Sequence, residues 1–183
     1  MRMTTDDESL ARQAGNGDRR AFELLLERHY DRIYRIGFSL LGATPDAEDL
    51  AQEVCVALAR KLKSYRADSR FTTWLYRVVV NAARDALRRR SSNQRLNQTY
   101  ADVNALVEAG REARRDEVRW LYEALGALSD DLRETTVLVL SEELSHAEAG
   151  AALGLSESTV SWRMHEVRKK LKALALAGED VSP

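Results

Sequence analysis

Residues 153–174 read LGLSESTVSWRMHEVRKKLKAL and combine a glycine turn, a serine cap and a basic helix. Gly154 predicts the left-handed residue that ends a first helix, because glycine adopts positive φ without steric cost. Ser145 is well placed to cap that first helix, and Ser156 is well placed to cap the second. Gly150 provides the small side chain that two helices need where they cross at a sharp angle. The stretch therefore predicts a helix-turn-helix.

The second helix of this motif has the side chains expected of a recognition helix. Val160 is expected to face inward, which turns the other early positions toward solvent, where base edges in a major groove would be met. These outward positions are Ser158, Thr159, Ser161, Trp162, His165 and Glu166. The basic residues suited to phosphate are Arg163, Arg168, Lys169 and Lys170. Similar turns occur in proteins that bind no DNA, so the motif alone favours DNA binding only modestly.

The composition of the 183-residue chain favours helix and argues against several classes of protein. Two prolines and nine glycines leave little material for turns, and Ala, Leu, Arg and Glu dominate. No apolar run is long enough to span a bilayer and no signal segment is evident, so we expect a soluble cytoplasmic protein. The single cysteine, Cys55, excludes an internal disulfide, and the three histidines are widely separated. No metal site and no cofactor are therefore predicted.

Apolar residues recur at helical spacing along most of the chain, and no alternating strand pattern is present. We predict an all-α protein made of two small helical domains joined by a flexible linker. The first domain spans residues 1–92, the linker 93–115, the second domain 116–178 and a short tail 179–183. Residues 1–20 are polar and are expected to be frayed at their start. Gly42 is expected to end one helix, and Thr44 to cap the next.

An acidic helix is predicted in the first domain. The segment DAEDLAQEVCVALARKLKSY, residues 46–65, exposes Asp46, Asp49, Gln52 and Glu53 opposite an apolar stripe. A solvated face is the simplest interpretation of these acids. Acid–base catalysis is a poor alternative, because no nucleophile or metal set accompanies the carboxylates.

A basic helix follows the acidic one. It ends in NAARDALRRR, whose arginines Arg84, Arg88, Arg89 and Arg90 are candidates for phosphate contact or for ordinary solvated charge. In the segment before them, Phe71 at the edge of a loop is the candidate to stack on an unpaired base. Trp74 is expected in the core.

The order of these segments resembles that of a group 4, or extracytoplasmic function (ECF), σ factor of the σ70 family. The stretch AFELLLERHYDRIYRIGFSLLG resembles region 2.1, and the acidic helix resembles region 2.2. RADSRFTTWLYRVVVNAARDALRRR is similar to regions 2.3 and 2.4, and the segment from LSDDLRETT through the basic helix resembles region 4. The resemblance covers nearly all of the chain, and the motifs DLAQEV, FTTWLYRVVVNAARD and LSESTVSWRMHEVRKKL are highly specific in this order.

The resemblance implies an alternative σ factor that directs promoter-specific initiation and is not an enzyme. It implies contacts with the β′ coiled coil and the β flap of core RNA polymerase, the former through Asp46, Asp49, Leu50, Gln52 and Glu53. It assigns to the −10 element Ala67, Asp68, Ser69, Arg70, Phe71, Asn81, Arg84 and Arg88. It assigns to the −35 element Ser158, Thr159, Ser161, Trp162, Arg163, His165, Glu166 and Arg168. It also implies an anti-σ factor that keeps the protein inactive until a stress signal arrives.

Other functional classes remain open from the residues alone. A conventional helix-turn-helix regulator, whose amino-terminal bundle senses a ligand or dimerises, would bind duplex DNA without polymerase. An adaptor that uses its helices only for protein contacts would show no affinity for DNA. Within a recognition helix, Glu166 would prefer the amino group of cytosine. Cys55 lies beside the apolar Val54, which favours packing over a redox switch.

Overall fold

The computed structural model describes residues 6–93 and 112–179, with side chains described for residues 6–90 and 119–176. Every regular element in these ranges is helical, which confirms the predicted all-α class. Most of the predicted linker and tail lies outside the described residues. None of the described helices has the length and apolar character that crossing a membrane requires.

The N-terminal half is built from helices whose ends follow local capping rules. They are α1 (Asp7–Gly15), α2 (Arg19–Leu41), α3 (Thr44–Lys61) and α4 (Phe71–Asn93), with a 3-10 turn at Leu62–Ser64. Asp18 caps α2 by accepting the Ala21 N–H at 3.0 Å. As predicted, α2 ends at Gly42, which has a φ of 79°. Thr44 does not cap α3, because Ala43 occupies the cap position and Thr44 is the first helical residue.

Helix α1 lies in a polar segment for which the sequence analysis predicted no helix. Leu10 and Ala11 are buried against the rest of the half. Glu8 Oε1 accepts the Phe71 N–H at 2.9 Å, so α1 satisfies one of the free donors at the start of α4. The sequence pattern missed this helix because two residues supply its buried stripe and most of the others are polar.

The C-terminal half contains the predicted helix-turn-helix. Its elements are α5 (Glu112–Gly126), α6 (Asp130–Thr136), a π-helical turn (Val137–Ser141), α7 (His146–Leu153) and α8 (Glu157–Glu179). Ser145 and Glu148 form a capping box at the start of α7, and Gly154 ends α7 with a φ of 72°. Ser156 Oγ accepts the Thr159 N–H at 3.2 Å at the start of α8. Helices α7 and α8 are the helix-turn-helix.

The turn between α7 and α8 is tight enough to require glycine inside a helix. A Cβ added at Gly150 would lie 2.7 Å from the carbonyl oxygen of Leu155, closer than real Cβ atoms approach. Val160 is fully buried, as its predicted inward orientation requires. The angle of α8 is therefore set by backbone contact at the turn and by core packing one turn later.

The two halves are in contact with each other. Helix α4 packs against α7, and α2 contacts α6 and the π-helical turn. One apolar cluster contains Leu75 of α4 together with Leu138 and Leu153 of the C-terminal half. Phe38 of α2 packs edge-to-face on Tyr122 of α5, with ring centroids 5.0 Å apart. In this arrangement the C-terminal half covers part of α4.

Candidate nucleic-acid and polymerase interfaces

Helix α8 has one buried face and one open face. Val160, Met164 and Val167 are buried at helical spacing, which fixes the orientation of the helix. Trp162 on the opposite side is 61% exposed. Of the residues predicted to meet the −35 element, those that are exposed are Ser158, Ser161, Trp162, His165 and Arg168, and those that are half-buried are Thr159, Arg163 and Glu166. The open face of α8 is accessible to a DNA groove.

The structure corrects the prediction that Arg163 contacts phosphate. Its side chain is 11% exposed, and Nη2 lies 2.9 Å from Asp131 Oδ2. Nη1 also donates to the carbonyl oxygen of Asp131 at 3.2 Å. Arg163 therefore anchors α8 to the start of α6 within the C-terminal half.

His146 contacts the open face of α8 and was not assigned a role from the sequence. Its Nδ1 lies 2.8 Å from Ser161 Oγ, so the first residue of α7 orients a hydroxyl on the recognition helix. No local pattern joins two residues in different helices. Only the crossing angle of the helix-turn-helix brings them together.

The acidic surface of α3 is formed by Asp49, Gln52 and Glu53, which are all exposed. Leu50, which was assigned to the same surface, is 2% exposed and belongs to the core. Its assignment to polymerase contact is wrong, because its side chain is buried in the core, next to Asp46, Asp49 and Glu53 in the lining of one cavity. Leu50 supports the surface without forming part of it.

Two arginines near the end of α4 face the acids of α3. Arg89 Nη2 lies 2.9 Å from Glu53 Oε2, and Arg90 Nη2 lies 2.7 Å from Asp46 Oδ2. The hydrogen bond to Glu53 raises the pKa of the Arg89 guanidinium, so this partner of the acid stays charged. Arg89 and Arg90 therefore balance part of the acidic surface instead of extending a phosphate-binding row.

The loop before α4 carries the next group of predicted contacts. Ala67 adopts a left-handed conformation with a φ of 58°. The Tyr65 hydroxyl donates to the carbonyl oxygen of Ser69 at 2.9 Å, which closes the loop on itself. Ala67 is half-buried, and Asp68, Ser69 and Arg70 are exposed. The loop thus presents polar groups around a fixed backbone.

Phe71 does not belong to this exposed loop surface. It is 1% exposed, and its ring centroid lies 5.2 Å from His29, 5.9 Å from Tyr65 and 5.8 Å from Trp74. The prediction that it stacks on an unpaired base is wrong, because the aromatic cluster encloses it. Trp74 packs against the core, as predicted.

The residues of α4 that were predicted to contact the −10 element differ in whether they are accessible. Asn81 and Arg88 are exposed. Arg84 instead forms a bidentate pair with Glu134 of α6, with Nε–Oε1 2.8 Å and Nη2–Oε2 2.7 Å. Glu134 is only 3% exposed. The hydrogen bond from Glu134 raises the pKa of the Arg84 guanidinium, so the Arg84 side chain stays charged. Arg84 is therefore occupied by the C-terminal half.

Cys55 lies on α3 and is half-buried. Burial raises the pKa of its thiol, so the protonated form predominates at neutral pH. Both observations favour the packing role over a redox switch.

Two family models match the chain. Sigma-70 region 2 matches residues 25–93, and Sigma-70 region 4 matches residues 124–173. The first match includes α3, the loop before α4 and α4 itself, and the second includes the helix-turn-helix. The surfaces described above thus lie in the two helical regions of a σ70-type transcription initiation factor.

Relatives that align along most of the chain narrow this class. The ECF RNA polymerase σ factor SigM of Mycobacterium tuberculosis is 33% identical over 174 residues, covering 93% of this chain and 84% of SigM. RNA polymerase σ factor CnrH of Cupriavidus metallidurans is 34% identical over 178 residues, covering 92% of this chain and 93% of CnrH. The chain belongs to the ECF σ factors of the σ70 family. It binds core RNA polymerase and promoter DNA and directs transcription initiation.

Solved structures have the same fold. The structure of CnrH in complex with the cytosolic domain of CnrY has a TM-score of 0.72 at 32% identity, covering 93% of this chain and 97% of CnrH. The σ factor RpoE in complex with the anti-σ factor NepR, from Bartonella quintana, has a TM-score of 0.67 at 22% identity and shows the fold alone. This match covers 84% of this chain and 96% of the matched chain in that structure.

Proposed function

We propose that three separate surfaces of this σ factor divide the work of initiation. Asp49, Gln52 and Glu53 on α3 bind the β′ coiled coil of the polymerase, with Asp46 at the edge of the contact. The loop at residues 67–70 and α4 engage the −10 element, and α8 reads the −35 element. The C-terminal half also contacts the β flap. The chain acts by binding, in the bacterial cytoplasm, and the polymerase performs the chemistry.

The observation that carries the −35 assignment is the open face of α8. A recognition helix needs a buried side that fixes its angle and an accessible side that enters the major groove. The exposed Trp162 and the exposed Ser161 and His165 on α8 meet the second requirement. Glu166 favours a cytosine in the −35 element, because a carboxylate accepts from the cytosine amino group. Arg168 is the candidate for phosphate.

The −10 assignment is supported by the loop before α4. A base flipped out of the duplex needs a polar pocket with a fixed backbone, and Asp68, Ser69 and Arg70 surround such a backbone. Asn81 and Arg88 extend this exposed surface along α4. Arg84 joins them only when it separates from Glu134.

An anti-σ factor is the proposed inhibitor. CnrH, which is about a third identical to this chain, has been solved in complex with the cytosolic domain of CnrY. A partner of that kind that binds here would cover the surfaces on α3 or α8 and prevent polymerase or promoter binding. Release after a stress signal would restore both.

Binding through both halves at once explains why a moderate affinity for each promoter element is sufficient for initiation. Once one half binds, the second half is confined near its own element, so its effective concentration reaches about the millimolar range for a short linker. Removal of residues 116–183 is expected to abolish −35-dependent initiation and to leave binding to core polymerase largely intact. Unchanged promoter-specific transcription from the truncated chain would contradict the division of labour.

Run-off transcription with purified core polymerase and a promoter library tests the whole scheme. We expect transcripts from templates that share both a −35 and a −10 motif, and none from core polymerase alone. Asp49→Arg should remove σ–core binding, with Glu27→Arg, an exposed acid on α2, as the charge-matched control. Duplex binding without polymerase, together with no σ-dependent transcript, would instead support the conventional regulator.

A further inference from the structure

One hydroxyl on the open face of α8 is held by a side chain of another helix. Ser161 Oγ lies 2.8 Å from Nδ1 of His146, the first residue of α7. Ser161 is exposed on α8, and His146 is half-buried. Among the described residues, this contact is the only hydrogen bond of the His146 ring. The orientation of the Ser161 hydroxyl therefore depends on the state of one imidazole.

The other hydroxyls near the start of α8 bond to one another. Ser156 Oγ accepts the Thr159 N–H at 3.2 Å, and it lies 2.8 Å from Thr159 Oγ1 and 2.9 Å from Ser158 Oγ. These three residues form the cap of α8, so their hydrogen bonds stay within its first turn. Ser161 lies in the next turn and bonds across the helix-turn-helix to α7. Its hydroxyl is therefore the one that α7 can orient.

The hydrogen on Nδ1 of His146 decides which hydrogen-bonding role is left to Ser161. A serine hydroxyl has one hydrogen to donate and two lone pairs that accept. When Nδ1 carries a hydrogen, it donates to Ser161 Oγ, and the hydroxyl hydrogen is free to donate to a base. When Nδ1 carries none, Ser161 gives its hydrogen to the ring and presents only lone pairs. A hydroxyl that can only accept selects a base with an amino group.

The position of His146 in the motif favours the second arrangement. In a helix-turn-helix complex the first helix crosses the sugar–phosphate backbone, and the start of a helix attracts phosphate. His146 is the first residue of α7, and Nδ1 is engaged with Ser161, which leaves Nε2 for phosphate. Phosphate oxygens accept hydrogen bonds, so the hydrogen of a neutral imidazole lies on Nε2 and Nδ1 remains an acceptor.

We propose that His146 is a positioning residue for −35 recognition, which makes Ser161 a hydrogen-bond acceptor and selects an adenine or a cytosine where Ser161 meets the DNA. The inference rests on the proposed −35 role of α8. In the major groove adenine N6 and cytosine N4 donate, whereas guanine O6 and thymine O4 accept. On the strand that Ser161 contacts, the pair therefore favours A or C over G or T.

Neighbouring side chains on α8 favour the same class of base. A carboxylate at Glu166 also accepts hydrogen bonds. Arg163, which could donate to guanine, is 11% exposed and is paired with Asp131. The part of α8 that reads bases thus offers acceptors where an unpaired arginine would offer donors.

Run-off transcription from a library with a randomised −35 element tests the inference. The holoenzyme is assembled from core polymerase and the full chain at pH 8, which favours the neutral imidazole. Ser161→Ala locates the contact as the base position at which its preference differs from that of the wild type. There we expect the wild type to favour A or C over G or T about fivefold, the discrimination of one hydrogen bond of about 1 kcal/mol. His146→Ala should reduce this ratio to about one.

Further variants separate positioning from structure. His146→Ala/Ser161→Ala should match Ser161→Ala, because the histidine acts through the hydroxyl. His146→Asp keeps an acceptor at the place of Nδ1, so it should retain the base preference while its negative charge weakens transcription from all templates. Ser141→Ala, at an exposed site before the motif, is the control and should behave like the wild type. His146→Phe, which keeps a ring without nitrogen, replaces His146→Ala if thermal unfolding shows that the alanine variant does not fold.

Several results would overturn the role of His146. They are an unchanged ratio in His146→Ala, a preference for G or T at the contact, a lost preference in His146→Asp, and no position that responds to Ser161→Ala. An equal loss from every template in His146→Ala, with the ratio preserved, would likewise make the histidine structural. The proposed −35 surface fails separately, if Trp162→Ala and Ser161→Ala both leave transcription from intact and scrambled −35 templates unchanged.

Discussion

The two helices assigned to DNA differ in how much of their surface the chain itself covers. Helix α8 buries an apolar stripe and leaves Trp162 61% exposed. Helix α4 buries its apolar body, and on one of its remaining sides Arg84 is paired with a buried carboxylate of the other half. Under the proposed function, α8 can contact DNA directly, whereas Arg84 on α4 first has to leave Glu134.

This difference teaches that charge alone does not identify a DNA contact. Arg84 and Arg163 both fit a phosphate-binding pattern in the sequence, and both bind acids within the chain. Arg163 links helices of a single half, so it stays a structural residue. Arg84 links the two halves, so its partner can be exchanged when they separate.

The largest expected effect comes from breaking the pair between the halves. Arg84→Ala should lower the free energy of unfolding by about 3 kcal/mol, because removing one partner leaves the buried Glu134 charge uncompensated. Arg88→Ala is the control on the same helix, since its side chain is exposed and pairs with Asp85 within α4. Its effect should stay within about 0.5 kcal/mol. Urea unfolding followed by circular dichroism measures both, and equal stabilities would contradict the contact between the halves.

The next largest effect tests the open helix. Trp162→Ala should reduce −35-dependent transcription about 30-fold, equivalent to about 2 kcal/mol for a tryptophan at the centre of an interface. Its stability should hardly change, because the side chain is exposed. The measurement is run-off transcription on templates with an intact and a scrambled −35 element.

Trp120→Ala is the matched control for this variant. Trp120 is 44% exposed on α5, outside the recognition helix. It should leave transcription from the intact template unchanged. A comparable loss in both variants would mean that general folding, and not base recognition, limits activity.

Local signals in the sequence predicted the parts of the fold that depend on local chemistry. Ser145, Gly154 and Ser156 cap or end helices through contacts with residues close in sequence. The predicted helix-turn-helix therefore matches the structure, including its turn. The exposure of the acidic surface of α3 was also predicted correctly, because helical periodicity separates Asp49 from the buried stripe.

The errors arose where distant packing decides which side chains are accessible. Phe71 lies at the edge of a polar loop, yet α1 and the aromatic cluster cover it. Leu50 lies between exposed acids in sequence but packs into the core at the edge of the buried stripe. The pair between Arg84 and Glu134 joins residues 50 positions apart, and no spacing rule connects them.

A smaller effect tests the turn that orients α8. Gly154→Ala should cost about 1 kcal/mol, because a residue with a Cβ is strained at a φ of 72°. Gly17→Ala is the counterpart in the other half, with a φ of 100° and open space around it. Both should lower the free energy of unfolding, but only Gly154→Ala should also weaken −35 recognition. Equal transcription from the two variants would show that the turn does not set the angle of α8.

The smallest effect is a pH dependence of stability that comes from the buried His29 in the N-terminal half. Burial lowers the pKa of His29 below its ordinary 6.5, despite the nearby Asp7, so the folded state favours the neutral ring. Stability from this group is full above pH 6.5 and declines as pH falls toward the folded pKa, by less than about 1.4 kcal/mol per pH unit.

His29→Gln should flatten the dependence of the free energy of unfolding on pH between pH 7 and pH 5. Asp7 does not enter this window. Despite burial, which opposes the shift, Arg28 and His29 lower its pKa from 3.8, so its contribution is lost only in stronger acid. Urea unfolding at several pH values measures the slopes. The same slope in wild type and His29→Gln would assign the pH dependence to groups outside the packing of α1 on α2.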